Sequence, residues 1–223
     1  MPIQNPAQNT AVALRARLRQ ARAELPADAR SRGGLLLRGR LFSWLNAARQ
    51  AAAASGRRLD RVAAYWPMAD EPDLRPLLEQ WVQAGISVCL PTIAARNQPL
   101  VFRNWTPEAS LREGQYGIPE PDGEPCVPDV ILVPTLGYTD EADRLGYGGG
   151  YYDRTLAALA SAGHDYVSVG IAWTEGRLPA EYQPALHDMR LDAVLTPDGW
   201  LPRAPLDAAP APGTSAKAQF TLR

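Results

Sequence analysis

The run "DVILVP" at residues 129–134 puts four apolar residues in succession between an aspartate and a proline. A strand with one wet face alternates polar and apolar positions, so a strand without alternation is covered on both sides, as in a parallel sheet between helical layers. "YVSVGIAW" at 166–173 is nearly as continuous. Shorter runs rich in β-branched or aromatic residues lie on either side of this pair: "RVAAYW" (61–66), "GISVCLP" (85–91), "PLVFRNW" (99–105) and "DAVLT" (192–196). The spacing predicts helices between them over 72–84 and 151–162, the second stopped by Gly163. Alternating strands and helices define an α/β fold with three α/β/α layers and a mainly parallel, Rossmann-like sheet.

Upstream of the first strand the texture is helical. Residues 10–25, "TAVALRARLRQARAEL", bring Val12, Leu14, Leu18, Ala21 and Leu25 toward one face and Arg15, Arg19 and Arg22 toward another, with Thr10 as the expected N-cap. Pro26 ends this helix, and an Ala-rich one follows over 28–54 before Gly56. A length of 223 residues suits one substantial domain, expected over 10–202. The Ala/Pro-rich stretch 203–223 reads as a disordered tail.

Net charge is −1, yet residues 1–61 hold twelve arginines and three acids. Such a flank suits an anionic ligand, and solvated helix faces give the same count. Without an aromatic-basic RNA motif, nucleic acid is not an expected partner. No apolar run reaches the ~18 residues of a membrane span and no signal pattern opens the chain, so a cytoplasmic protein is expected. Cys89 and Cys126 lack metal-ligand spacing and read as buried thiols. The only lysine, Lys217, lies in the tail, which argues against Schiff-base and Walker-type chemistry.

Strand carboxyl ends in an open α/β sheet face the ligand, and these ends fall at 66–71, 91–96, 134–153, 173–177 and 196. The third contains "DRLGYGGGYYDR" (143–154). Glycines at 146, 148, 149 and 150 permit positive φ and let peptide N–H groups converge on an anion at the start of a helix. The spacing matches neither GxGxxG nor GxxxxGK[ST]. Asp153 in the first turn either complements the helix dipole or shares a Mg²⁺ with a phosphate. Arg144 is either a phosphate ligand or the partner of Asp140, Glu141 or Asp143. Tyr151 is expected at the ligand and Tyr152 inside; His164 reads as an exposed turn residue and the His187–Asp188 pair as structural.

Taken in order, "LRARLR", "YWPMADEPDL", "YGIPEP" (116–121), "DVILVP", "RLGYGGGYYDR", "VGIA" and "HDMRLDAVLT" resemble the 5-formyltetrahydrofolate cyclo-ligases, also called methenyltetrahydrofolate synthetases, over roughly residues 11–197. The resemblance implies conversion of 5-formyltetrahydrofolate to 5,10-methenyltetrahydrofolate with MgATP, by a monomer whose N-terminal helix folds over the site. It implies that Arg15, Arg144, Leu145, Gly146, Tyr147, Gly148, Gly149, Gly150, Tyr151 and Tyr152 hold ATP. The reduced folate would meet Arg15, Trp66, Glu71, Tyr147, Gly148, Gly149, Gly150 and Tyr151. Glu71, Arg144 and Tyr151 would be catalytic, and Asp153 and Asp188 would hold Mg²⁺. The chain departs from the family where many members carry lysines, at Ala11 and Gly149, which puts ATP affinity in question. A folate- or nucleotide-binding protein without turnover is the alternative reading.

Overall fold

The computed structural model describes residues 6–68 and 70–206. Two helices lead: α1 (Pro6–Ala23) and α2 (Ala27–Ala54). Strand β1 (Arg61–Ala63), helix α3 (Arg75–Gln83), β2 (Ser87–Thr92) and β3 (Val101–Trp105) follow. A small two-stranded sheet, β4 (Leu111–Glu113) with β5 (Pro119–Pro121), precedes β6 (Pro125–Cys126). The chain then enters β7 (Val130–Pro134), the short pair β8 (Gly137–Tyr138) and β9 (Arg144–Leu145), and α4 (Tyr151–Ser161). It closes with β10 (Val167–Ile171), β11 (Ala193–Thr196) and β12 (Gly199–Leu201).

The eight-stranded sheet runs β12-β11-β10-β7-β1-β2-β3-β6. Its five central strands are parallel, and β12, β3 and β6 join the edges antiparallel. The uninterrupted apolar runs are the inner strands, and alternate residues feed opposite cores. Val130 and Leu132 pack with Leu37, Leu41 and Leu45 of α2 and Trp81 of α3. Ile131 and Val133 pack with Leu156 of α4 and Tyr166. Three layers result, as the sequence predicts.

Helix ends follow the expected chemistry. Gly56 and Gly163 both take positive φ just past α2 and α4. At the second, the His164 N–H reaches back to the Leu159 carbonyl at 3.0 Å, closing the helix as a left-handed glycine cap does. Thr10 is not a cap, because α1 begins at Pro6. Beyond 202 the chain still packs: Ala204 is buried and Trp44 Nε1 donates to the Pro205 carbonyl at 2.8 Å. Positions 207–223, most of the expected tail, lie outside the described residues. Among the described residues no helix is long and apolar enough to cross a membrane.

Two features of the topology position the site. From β1 the chain steps outward to β2, whereas β7, β10 and β11 build in the other direction. The carboxyl ends of β1 and β7 therefore flank a switch point, where open α/β sheets form a ligand crevice. Second, α1 docks beside that crevice through a satellite core in which Leu14 and Leu18 meet Leu136, Leu145 and Leu178. Val12 is 63% exposed, so the inner face of α1 is not the one its aliphatic residues alone suggest. Leu14, Leu18 and Arg22, at successive intervals of four, are all buried.

Candidate active site

A cavity of about 540 Å³ opens at the switch point, within the range of small-molecule sites. Its lining includes Arg15, Trp66, Glu71, Asp188 and every residue from Arg144 through Asp153. All the sequence-predicted site residues thus meet in one place. Of the five strand-end segments, 173–177 and 196 do not line it. Trp173 contributes from behind, donating its indole N–H to the Asp70 carbonyl at 2.8 Å.

The glycine loop is tightly determined. Gly148 and Gly150 have φ of 97° and 63° and use the freedom that glycine permits, whereas Gly146 and Gly149 do not take positive φ. At Gly149 the constraint is space, since a Cβ would lie 2.9 Å from the Tyr151 ring. Gly150 is the N-cap of α4 and makes no side-chain capping bond. Among the described residues no side chain caps the first N–H groups of α4, which leaves them to an anion at the positive end of the helix.

Arginine surrounds this loop. Arg15 Nε donates to the Gly146 carbonyl at 2.8 Å and lies against Gly148, so α1 folds over the loop as the resemblance implies. Arg19 and Arg22 bracket the Tyr147 ring, at 5.8 and 5.6 Å from its centre. Arg154 bends back to the Gly149 carbonyl at 2.6 Å and covers Tyr151. Although the sequence lacks lysine here, the loop is not short of cations.

Arg144 pairs with none of the three acids nearest it in sequence. Asp140 binds Arg177 and Asp143 takes a two-pronged bond from Arg190. The Arg144 side chain is 4% exposed and donates to Asp153 Oδ1 at 2.6 Å and to the Met189 carbonyl. Asp153 Oδ1 also accepts the Met189 N–H at 3.0 Å. Asp153 is thus more than a dipole-complementing residue. Asp188 accepts the Ala185 N–H at 2.8 Å, and His187 beside it is exposed. Among the described residues no three metal-binding side chains cluster.

Glu71 also lines the cavity and is 8% exposed. Bonds from Trp173 to the Asp70 carbonyl and from the Tyr65 hydroxyl to the Pro72 carbonyl fix the backbone on either side of it. Its Oε2 accepts the Met68 N–H at 2.9 Å, and its Oε1 accepts the Tyr147 hydroxyl. Burial raises its pKa above the ordinary 4.5; the Tyr147 bond, the Met68 N–H and the Arg22 charge pull the other way. Burial, and then the Glu71 charge, hold the Tyr147 hydroxyl well above its ordinary value, so it remains a donor. Trp66 makes an apolar wall, edge-on to Trp105 and covered by Arg75.

Three polar lining groups stand out among those not evident from sequence. Tyr116, at φ 62°, lies 3.3 Å from the Tyr151 hydroxyl, and buried Glu120 accepts the Ile93 N–H at 3.0 Å. Both belong to "YGIPEP", whose consecutive turn residues are a signal for a shaped loop. Tyr65, the third, follows directly on β1. Tyr152 does turn inward toward the α4 core, as expected, while keeping one edge on the cavity.

A buried carboxylate and an arginine-ringed glycine loop share one cavity at the switch point, the place where α/β enzymes hold their ligands. Residues 7–197 match the model of the 5-formyltetrahydrofolate cyclo-ligase family, and the chain belongs to that family of ligases. It is 34% identical over 197 residues to the 5-formyltetrahydrofolate cyclo-ligase of Mycolicibacterium smegmatis, covering 82% of this chain and 92% of the relative. The mouse enzyme of the same name is 26% identical, with 83% and 92% covered. Among solved structures, the 5,10-methenyltetrahydrofolate synthetase of Aquifex aeolicus superposes with a TM-score of 0.72 at 25% identity, over 92% of this chain and 97% of that one. The Mycoplasma pneumoniae synthetase shares the fold, with a TM-score of 0.63 at 20% identity over 84% and 98%.

Proposed function

We propose that the chain closes the ring of 5-formyltetrahydrofolate to 5,10-methenyltetrahydrofolate, consuming ATP and releasing ADP and phosphate. The observation that carries this reading is the placement of uncapped helix N–H groups and the buried Glu71 in the lining of one cavity. The formyl oxygen takes the γ-phosphoryl group, which converts a poor leaving oxygen into phosphate. The folate N10 then bonds to the activated carbon and gives up its proton, and phosphate departs with the C–O electron pair. Phosphoryl transfer asks the protein mainly for position and charge.

In this reading the loop amides, the start of α4 and Arg15 receive the phosphates. Arg144 keeps donors beyond those used on Asp153 and Met189. Glu71 accepts the N10 proton, and Trp66, Tyr147 and Tyr151 hold the folate ring. The metal donors fit. Asp153 Oδ2 accepts no bond within the described residues, and Asp188 keeps one oxygen unbonded except for a 3.7 Å approach of His187. Two carboxylates without a third ligand suit Mg²⁺ that completes its shell with phosphate and water. When bound, Mg²⁺ neutralises phosphate charge that the two acids would otherwise repel.

Incubation with 5-formyltetrahydrofolate and MgATP tests the reading: the near-ultraviolet absorbance of the methenyl product should appear. No absorbance even at high ATP would assign a binding protein instead. Arg15→Ala removes a charged donor from the loop and should weaken MgATP binding by about 10- to 100-fold, the cost of a hydrogen bond to a charged group. Calorimetric titration reads this directly, and an unchanged Kd would remove Arg15 from the nucleotide site.

A further inference from the structure

Arg22 of α1 is 7% exposed and lies behind the cavity lining, on the carbonyl just past β7 and the hydroxyl of Tyr147. Among the described residues it forms no ion pair within bonding distance. Its Nη2 donates to the Thr135 carbonyl, just past β7, at 3.1 Å, and its Nη1 donates to the Tyr147 hydroxyl. A guanidinium only donates. The Tyr147 oxygen is therefore the acceptor in that bond, and its own proton points to Glu71 Oε1. A buried cation and a buried carboxylate are thus joined through one phenol.

We propose that Arg22 is a positioning residue of the reaction, acting through the Tyr147 hydroxyl to hold Glu71 as an ionised proton acceptor aimed at the substrate nitrogen. The identity of that nitrogen rests on the function proposed above; the relay itself rests on the geometry. A direct Arg22–Glu71 pair would occupy the lone pairs of the carboxylate with the guanidinium. The intervening phenol transmits the attraction and uses one acceptor site. Met68 N–H uses another, and of roughly four sites on a carboxylate the rest stay open to the cavity.

Four side chains face Glu71 from the elements packed against it: Arg22 from α1, Tyr147 from the glycine loop, Tyr65 after β1 and Tyr152 from α4. Only Arg22 is charged at neutral pH, since burial holds all three phenols above their ordinary value. Removing Arg22 leaves the desolvation of Glu71 less opposed. The carboxyl then needs a higher pH to ionise.

The deciding measurement is the pH profile of kcat at saturating MgATP for the wild type, Arg22→Leu, Arg22→Lys and Tyr147→Phe. Arg22→Leu and Tyr147→Phe should both move the acid limb to higher pH. Below the limb, activity at a given pH should fall about tenfold when the midpoint rises by one on the pH scale, and it should recover at alkaline pH. Arg22→Lys should bring the limb part of the way back, because the charge returns without the fork. A profile lowered by one constant factor at every pH in both variants would overturn the proposal and leave Arg22 a packing residue of α1. Arg22→Leu also removes an anchor of that helix, so Tyr147→Phe, which deletes a single oxygen, decides. If the wild type does not turn over 5-formyltetrahydrofolate, the proposed function fails. The relay is then read from the carbon-13 NMR titration of the Glu71 carboxyl in the same proteins: higher midpoints in the two variants sustain it, and identical midpoints sink it.

Discussion

Glu71→Gln is expected to lower kcat by about 10²- to 10⁴-fold, the usual contribution of a positioned proton acceptor, while MgATP binds as in the wild type. The amide preserves the shape of the carboxyl between Tyr147 and Met68 but cannot take a proton from N10. Because burial raises the Glu71 pKa, the acid limb of the wild-type profile should lie above 4.5. Activity should be present above that limb and fade as the pH drops through it. Steady-state kinetics alongside nucleotide titration separate the two steps. A kcat within a few fold of the wild type would remove Glu71 from the chemistry.

The second large effect is expected at Asp153, and two substitutions there should behave differently. Asp153→Ala strands the buried Arg144 guanidinium without its acid, a change that costs about 3–5 kcal/mol when one partner of a buried pair is removed. Asp153→Asn keeps an acceptor for the Met189 N–H and a polar partner for Arg144, so its melting temperature should stay closer to that of the wild type. Both should lose turnover by about 10²–10³-fold, on the scale of a missing electrostatic contributor at a reacting group. An acid that only favours its helix would give about 0.3–1 kcal/mol of stability and unchanged kinetics. Normal Mg²⁺-dependent turnover in Asp153→Asn would leave the pair with Arg144 as the whole role of this residue.

Much of this architecture is legible from local pattern. The continuous apolar run at 130–133 and the nearly continuous one at 167–171 identify inner strands, because a strand covered on both faces does not alternate. Gly56 and Gly163 mark helix ends, and the glycine loop signals a close backbone approach. The rest is decided by tertiary context. The short strands β4, β5, β6, β8, β9 and β12 are two or three residues long, and such pieces are set by their partners, not by periodicity. A helical wheel places Arg22 on the outer face because it counts arginine as solvent-seeking. Its interval from Leu14 and Leu18 is the available clue, hidden because a buried cation is sensible only once Thr135, Tyr147 and Glu71 surround it. Arg144 cannot be matched to Asp153 from sequence for a related reason. Nearer acids at 140, 141 and 143 compete, and only the fold gives two of them other arginines.

Helix α1 reaches two parts of the site, with Arg15 at the loop carbonyl of Gly146 and Arg22 at the hydroxyl that serves Glu71. In the proposed function this one helix therefore serves both the phosphate loop and the carboxylate that acts on the folate. If nucleotide and folate couple through it, reciprocity requires that the factor by which nucleotide changes folate affinity equal the factor by which folate changes nucleotide affinity. Such coupling would run along about two turns of helix, the stretch of α1 between Arg15 and Arg22.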